Sequence, residues 1–187
     1  MLDLYNTTWQ VGCCKTFLAA VRASGLTPVV RSVRSVTLLA PTDDAFSLLP
    51  AGYVNHLLSP ENDSRLRDLV AMHLIASIWS AEQLADHDRI QTVLGPWLDI
   101  NSGHGVLRVE SAEVFQSDIP ATNGVLHIID RVLLPASLRA DCRPSAPARA
   151  VAKTHPHCAA IDRRSQLGPR LMTDWVGDQP GRTDRTQ

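Results

Sequence analysis

The 187-residue sequence has no long apolar run. A membrane-spanning helix needs about 18 or more consecutive apolar residues, so we expect no membrane span. The first residues also lack the basic stretch and the following apolar stretch of a secretory leader. We therefore expect either a cytosolic protein or a true start that lies upstream of Met1.

Positive charge is scarce over most of the chain. Residues 1–137 carry nine Lys and Arg against fourteen Asp and Glu, a net charge of −5, whereas residues 138–187 carry nine against five, a net charge of +4. Domains that bind nucleic acid present a basic face. The acidic balance of residues 1–137 therefore predicts no nucleic-acid partner.

The four cysteines are too few and too irregularly spaced to form a disulfide framework. Cys13 and Cys14 are adjacent, and adjacent residues of a helix point in different directions. We expect both to be small core or surface groups. The sequence allows, but does not require, a bridge between Cys142 and Cys158.

Motifs of common enzyme classes are missing: the sequence has no G-x-S-x-G, P-loop or G-x-G-x-x-G run. His155, His157 and Cys158 are of the residue types that bind zinc, but their spacing matches no closed finger. The run Asp86-His87-Asp88 is typical of a solvated turn. We expect no catalysis, no cofactor and no metal.

The order of periodicities predicts an α+β fold. Helical patterns come first, interrupted by one buried strand at residues 36–40, and strand patterns then follow. The predicted later strands are residues 90–94, 97–100, 106–109, 112–116 and 125–134. Residues 137–187 are rich in Pro and Arg and poor in apolar residues, so we predict one domain over 3–136 and a disordered tail.

Two apolar segments are interrupted by specific polar residues. Residues 37–46, TLLAPTDDAF, predict a buried strand, a proline break and a helix capped by Thr42. Residues 121–135, ATNGVLHIIDRVLLP, predict an Asn-Gly turn and then a buried strand that contains His127 and Asp130. The i, i+3 spacing of those two residues places them on opposite faces of a strand, so we expect structural hydrogen bonds rather than a catalytic pair.

Together these segments resemble the paired signature of the fasciclin (FAS1) domain family, and the resemblance covers residues 3–136. It implies a wedge of two β-sheets with helices packed around it. It also implies a non-catalytic adhesion module, extracellular or at the cell surface, that binds a protein or glycan. The signature residues implied to hold the scaffold are Thr37, Pro41, Asp43, Phe46, Asn123, Gly124, His127 and Asp130.

Four residues are the expected partner contacts. His73 matches the family's tyrosine–histidine element associated with adhesion, although Met72 stands in place of the tyrosine. Asp118 and Ile119 match an Asp-Ile pair implicated in integrin binding in animal members. The sequence favours structural roles for both pairs: His73 closes an apolar helical stripe, and Ile119 anchors the core behind a turn at Asp118.

An alternative function is transport of an elongated apolar ligand. Some fasciclin-domain proteins of microalgae bind carotenoids, so the resemblance also allows a carrier. Trp9, Trp79 and Trp97, with Phe115, would line the expected cleft.

Overall fold

The computed structural model describes residues 2–139. The predictions for the tail, for Cys142 and Cys158 and for the histidines near residue 156 concern residues outside this range. The helices are α1 (Leu4–Val11), α2 (Lys15–Ala23), α3 (Thr27–Ser32), α4 (Asp43–Ser47), α5 (Tyr53–Leu57), α6 (Asp63–Met72), α7 (Ala81–Ala85) and α8 (Ala136–Arg139). The strands are β1 (Val36–Pro41), β2 (Leu74–Ile75), β3 (Arg89–Gln91), β4 (Trp97–Asn101), β5 (Arg108–Val109), β6 (Ala112–Ala121) and β7 (Gly124–Ile129).

The seven strands form one continuous order, β2-β1-β7-β6-β5-β4-β3. β1 pairs with β7 in parallel, and the other neighbours are antiparallel. The family resemblance implied two sheets. β6 is irregular, with register shifts between Val114 and Gln116 and between Gln116 and Ile119. Such bulges bend a strand and increase its twist.

The central strands supply side chains to two hydrophobic clusters, because successive residues of a strand face opposite sides of the sheet. Leu38 and Ile128 belong to the larger cluster with helices α1, α2 and α6. Leu39 and Ile129, the next residue along each strand, belong to the smaller cluster with strands β3 to β5. The α+β architecture predicted from the sequence is therefore confirmed.

Local boundaries differ from the predictions where long-range contacts decide them. Residues 27–32, ahead of the first strand, form helix α3. The last strand ends at Ile129 rather than residue 134, and at the next residue the Asp130 Oδ1 atom accepts a hydrogen bond from the Glu113 N–H at 2.6 Å. β6 continues through Asp118 and Pro120 to Ala121, where a turn was expected.

The predicted helix start at Thr42 is confirmed, and α7 also begins with a side-chain cap. Thr42 caps α4, and its Oγ1 atom accepts from the Ala45 N–H at 3.1 Å. Ser80 and Gln83 form the capping box of α7. Of the helices within residues 2–139, none has the length and apolar character needed to cross a membrane.

Both adjacent cysteines are buried in the larger cluster, which is one of the two settings expected for them, but their states differ. Cys13 is disulfide-bonded. Cys14 is a free and fully buried thiol. Burial, with a smaller contribution from the Asp43 carboxylate, raises the pKa of Cys14 to about 12, so this thiol stays protonated.

Candidate functional site

The second signature segment begins at Asn123, whose side chain joins three parts of the chain. Its Oδ1 atom accepts from the Leu4 N–H at 2.8 Å, at the start of α1. Its Nδ2 group donates to the Val30 and Val33 carbonyls at 2.8 and 3.1 Å, at the end of α3. Asn123 therefore fixes α1 and α3 to the β6–β7 turn, which is a scaffold role.

Gly124 follows at the first position of β7, directly opposite Val36 of β1. A Cβ atom at this position would lie 1.9 Å from the Val36 carbonyl oxygen. The parallel pairing of the two central strands therefore requires glycine here.

The first signature segment also makes long-range bonds. The Thr37 Oγ1 atom donates to the Ser77 carbonyl at 2.7 Å and accepts from the Trp79 N–H at 2.8 Å. The Asp43 Oδ1 atom accepts from the Thr16 N–H at 2.7 Å, in the first turn of α2, where a carboxylate is favoured by the helix dipole. Pro41 and Phe46 are buried in the same segment.

His127 is fully buried in β7, and both of its ring nitrogens have partners. Nδ1 accepts from the Asp118 N–H at 3.2 Å, so the proton is on Nε2, which donates to the Trp79 carbonyl at 2.9 Å. Burial lowers the pKa of His127; the bond to the Trp79 carbonyl and the Asp118 carboxylate oppose that change. The ring is neutral and is committed to backbone groups.

Asp118 occupies the second irregularity of β6 in a left-handed conformation, with φ of 57°, which aspartate tolerates better than most residues. Its Oδ1 atom accepts from the Ala81 N–H at 2.8 Å, and its Oδ2 atom accepts from the Ser117 hydroxyl at 3.2 Å. The carboxylate thus holds the start of α7, which lies 37 residues away in the sequence.

These bonds converge on one segment, residues 76–81, which we call the 76–81 loop. Thr37 of β1, Asp118 of β6 and His127 of β7 hold its backbone at Ser77, Trp79 and Ala81. The loop connects β2 to α7. Its Ile78 side chain is 50% exposed, whereas the Trp79 ring is half-buried and contacts the edge of the His87 ring.

Met72 and His73 do not lie at the surface. Met72 is 2% exposed and His73 is fully buried, next to the Phe17 ring. His73 Nδ1 donates to the Leu69 carbonyl at 2.8 Å, and Nε2 accepts from the Leu133 N–H at 3.0 Å. Burial lowers the pKa of His73 to about 4, although the bond to Leu69 opposes this. Neither residue offers a partner contact in this conformation.

Ile119 is 5% exposed and belongs to the larger core cluster. Of the four expected contacts, Asp118 alone is partly exposed. The sequence reasoning overlooked Ile78. Its signal was the apolar pair Ile78-Trp79, which lies between two serines and directly before the first residues of α7, where the helix itself requires no apolar pair.

His127 and Asp130 bind different partners, as their spacing predicted. Asp130 bonds to Glu113, and His127 bonds to Asp118 and Trp79. Because both ring nitrogens of His73 and of His127 are hydrogen-bonded to backbone groups, neither ring is available as a general base. Within residues 2–139, no three His, Cys, Asp or Glu side chains are grouped so that they could hold a metal ion.

An open groove of about 420 Å³ lies beside Asp118. Its lining residues are Ala81, Gly105, Val106, Leu107, Glu113, Val114, Phe115 and Ser117. Phe115 is there as expected, but Trp9, Trp79 and Trp97 are not, and two of these tryptophans are 63% and 59% exposed. Within residues 2–139, this groove is therefore not the expected tryptophan-lined cleft.

Comparisons with known proteins agree with this geometry. The family model "Fasciclin domain" matches residues 12–135. "Protein sll1483" of Synechocystis sp. is 37% identical over 120 residues, which cover 64% of this chain and 66% of that protein. "Transforming growth factor-beta-induced protein ig-h3" of Sus scrofa is 34% identical over 126 residues, which cover 67% of this chain. The chain thus spans just under two thirds of the first relative and 18% of the second.

A solved structure shows the same fold. The FAS1 domain pair from the insect cell adhesion molecule Fasciclin I aligns with a TM-score of 0.53 at 24% identity, covering 65% of this chain and 45% of that chain. The family model matches well over half of the chain, and both signature segments have scaffold bonds in the structure. The chain belongs to the fasciclin domain family.

Proposed function

We propose that this chain is a non-catalytic interaction module that binds a protein or glycan partner at a cell surface or in an extracellular matrix. The observation that carries the proposal is that the signature residues bond to groups within the protein itself. Asn123, His127 and Thr37 bond to backbone groups of distant segments. They build a rigid support rather than a reactive centre, and a rigid support suits a module whose surface does the binding.

The relatives support the same class of function. The aligned FAS1 domain pair is part of an insect cell adhesion molecule. Function does not follow from fold alone, so the step from that molecule to this chain is the proposal.

Surface attachment tests the proposal. Cells of the species that encodes the protein are applied to wells coated with the full 187-residue chain or with serum albumin. We expect attachment well above the albumin level, and its abolition by soluble protein added as competitor. Attachment at the albumin level would contradict the proposed function.

The carrier alternative is tested by absorbance of the protein purified from its native source. A polyene ligand absorbs in the visible range and copurifies with a tight carrier. The groove beside Asp118 is open and is lined in part by Glu113 and Ser117, whereas an elongated apolar ligand requires an enclosed apolar channel. We therefore expect colourless protein, and a stoichiometric visible band would favour the carrier.

A further inference from the structure

Side chains of the signature segments hold the backbone of the 76–81 loop, while one large apolar side chain of that loop, Ile78, is exposed to solvent. Ser77 O, Trp79 N, Trp79 O and Ala81 N are all held by side chains of β1, β6 and β7. The Ser80 N–H donates to Gln83 Oε1 at 3.0 Å within the capping box. Successive backbone groups on both sides of Ile78 are therefore fixed, which gives the loop little freedom to lose when it binds.

The Ile78 side chain takes no part in these hydrogen bonds. Its side chain is 50% exposed, and a serine would leave the same backbone bonds in place. The neighbouring Trp79 side chain is half-buried against the smaller cluster, and its ring packs against His87 with centroids 4.6 Å apart. An exposed aliphatic group on a rigid support has the character of an interface anchor, because burying it in a partner pocket costs little conformational entropy.

The segment that follows the loop is acidic up to Asp88. Residues 76–88 contain Glu82, Asp86 and Asp88 and no Lys or Arg, and all three acids are exposed. The next residue, Arg89, is paired with Asp99. His87, which lies between the two aspartates, contacts the Trp79 ring beside Ile78, so a partner that contacts the loop and this segment meets mainly acidic side chains. Complementary charge steers association and excludes acidic partners.

We propose that the 76–81 loop is a protein-docking site, in which Ile78 inserts into an apolar recess of a partner protein and the acidic residues of the adjoining segment pair with Lys or Arg around that recess. This inference rests on the proposed interaction function and names its contact surface. It assigns Asp118, His127 and Thr37 the role of positioning residues that hold the loop. The expected contact at Asp118 is thereby replaced by the loop that its carboxylate supports.

A peptide titration tests the chemistry of the site. The probes are two synthetic 12-residue peptides with the same central Leu pair, one flanked by Lys and the other by Glu. Chemical-shift changes are followed in the full-length ¹⁵N-labelled chain. We expect the Lys peptide to shift amides of residues 76–84, with an effect that weakens as salt is added, and the Glu peptide to shift none of them.

Two matched variants distinguish a specific role of Ile78 in binding from the general effect of removing an exposed apolar side chain. Ile78→Ser should weaken binding of the Lys peptide by about tenfold or more. Leu48→Ser, which removes a side chain of similar exposure (46%) next to α4, should change it by less than about twofold. Equal effects of the two variants, shifts confined to another surface, equal binding of the Glu peptide, or no shift with the Lys peptide would overturn the proposal.

The attachment assay distinguishes the two proposals. If the wild-type chain supports attachment and Ile78→Ser reduces it at least fivefold while Leu48→Ser does not, both proposals stand. Attachment that is unaffected by Ile78→Ser overturns the docking site and leaves the interaction function in place. Absence of attachment by the wild-type chain contradicts the interaction function itself.

Discussion

At the residue scale, the side chain of Asn123 satisfies backbone groups that have no other ordinary partner. The Leu4 N–H is one of the unpaired donors at the start of α1, and the Val30 and Val33 carbonyls lie at the end of α3. Helix termini that are buried need such partners, since an unpaired buried polar group costs about 1–3 kcal/mol. One amide therefore serves two helices.

We predict that Asn123→Ala lowers the free energy of unfolding by about 2–4 kcal/mol, because it leaves these buried groups unpaired. Urea unfolding with linear extrapolation measures the change. The adjacent Thr122→Ala is the control. Thr122 is exposed, so its substitution should change stability by less than about 0.5 kcal/mol. Equal losses for the two variants would contradict the role assigned to the amide.

Glycine is required at position 124 because there is no space for a side chain, not because the backbone angles are unusual. We predict that Gly124→Ala destabilises the protein by about 3 kcal/mol or more and sharply reduces its soluble yield, since the added methyl group meets the Val36 carbonyl in β1. Gly103→Ala is the control: the nearest atom is the exposed Asn101 Oδ1 at 3.0 Å, which can move, and the cost should stay below about 1 kcal/mol. A soluble Gly124→Ala protein of wild-type stability would contradict this steric reason.

The sequence revealed these residues as a pattern but not their bonds. Asn123 was expected as part of the scaffold through family resemblance, whereas its partners at residues 4, 30 and 33 lie 90 or more positions away. Ile78 was missed for a related reason. Its exposure depends on bonds from Thr37 and His127, which lie about 40 and 48 residues from the segment they hold. A local sequence pattern does not predict contacts between residues so far apart in the chain.

At the element scale, two neutral histidines connect strands and helices that are distant in sequence. His73, at the end of α6, accepts from the Leu133 N–H, and His127 connects β7 to β6 and to the 76–81 loop. Protonation would put a hydrogen on the accepting nitrogen, where it would face an N–H group. The tertiary contacts of these elements therefore require the neutral rings.

This arrangement predicts a loss of stability in mild acid. Burial lowers the pKa of His73 to about 4, and it lowers the pKa of His127 in the same direction. Between pH 6.5 and 4 the unfolded chain consequently binds more protons than the folded chain. The free energy of unfolding is full above about pH 6.5 and falls as the pH is lowered towards 4, by about 3 kcal/mol for His73 alone.

Urea unfolding at pH 7.5, 5.5 and 4.5 measures this dependence. His56→Gln, a change at an exposed position of α5, should keep the wild-type slope. His73→Gln should be less stable at pH 7.5 but should lose less stability on acidification, because it removes one titrating ring. A His73→Gln slope as steep as that of the wild type would show that other groups dominate the acid response.

At the scale of the whole molecule, β1 and β7 connect the two hydrophobic clusters. Leu38 and Leu39 are adjacent and fully buried, yet they belong to different clusters. The sequence predicted the α+β class and the buried character of these strands. It could not predict the single seven-strand order, since the parallel pairing of β1 with β7 joins segments about 88 residues apart. That pairing makes the two clusters parts of one cooperative structure.

We therefore predict that damage to one cluster destabilises the other. Leu39→Ala removes a side chain from the smaller cluster and should cost about 2–5 kcal/mol. Hydrogen exchange measures which elements lose the protection of their amides. The slowest amides of α6, which packs in the larger cluster through Leu66 and Leu69, should accelerate as much as those of β4, since both then exchange by global unfolding. Val29→Ala, at an exposed position of α3, should leave both unchanged. Acceleration confined to β4 would mean that the smaller cluster opens by itself and that the shared strands do not couple the two.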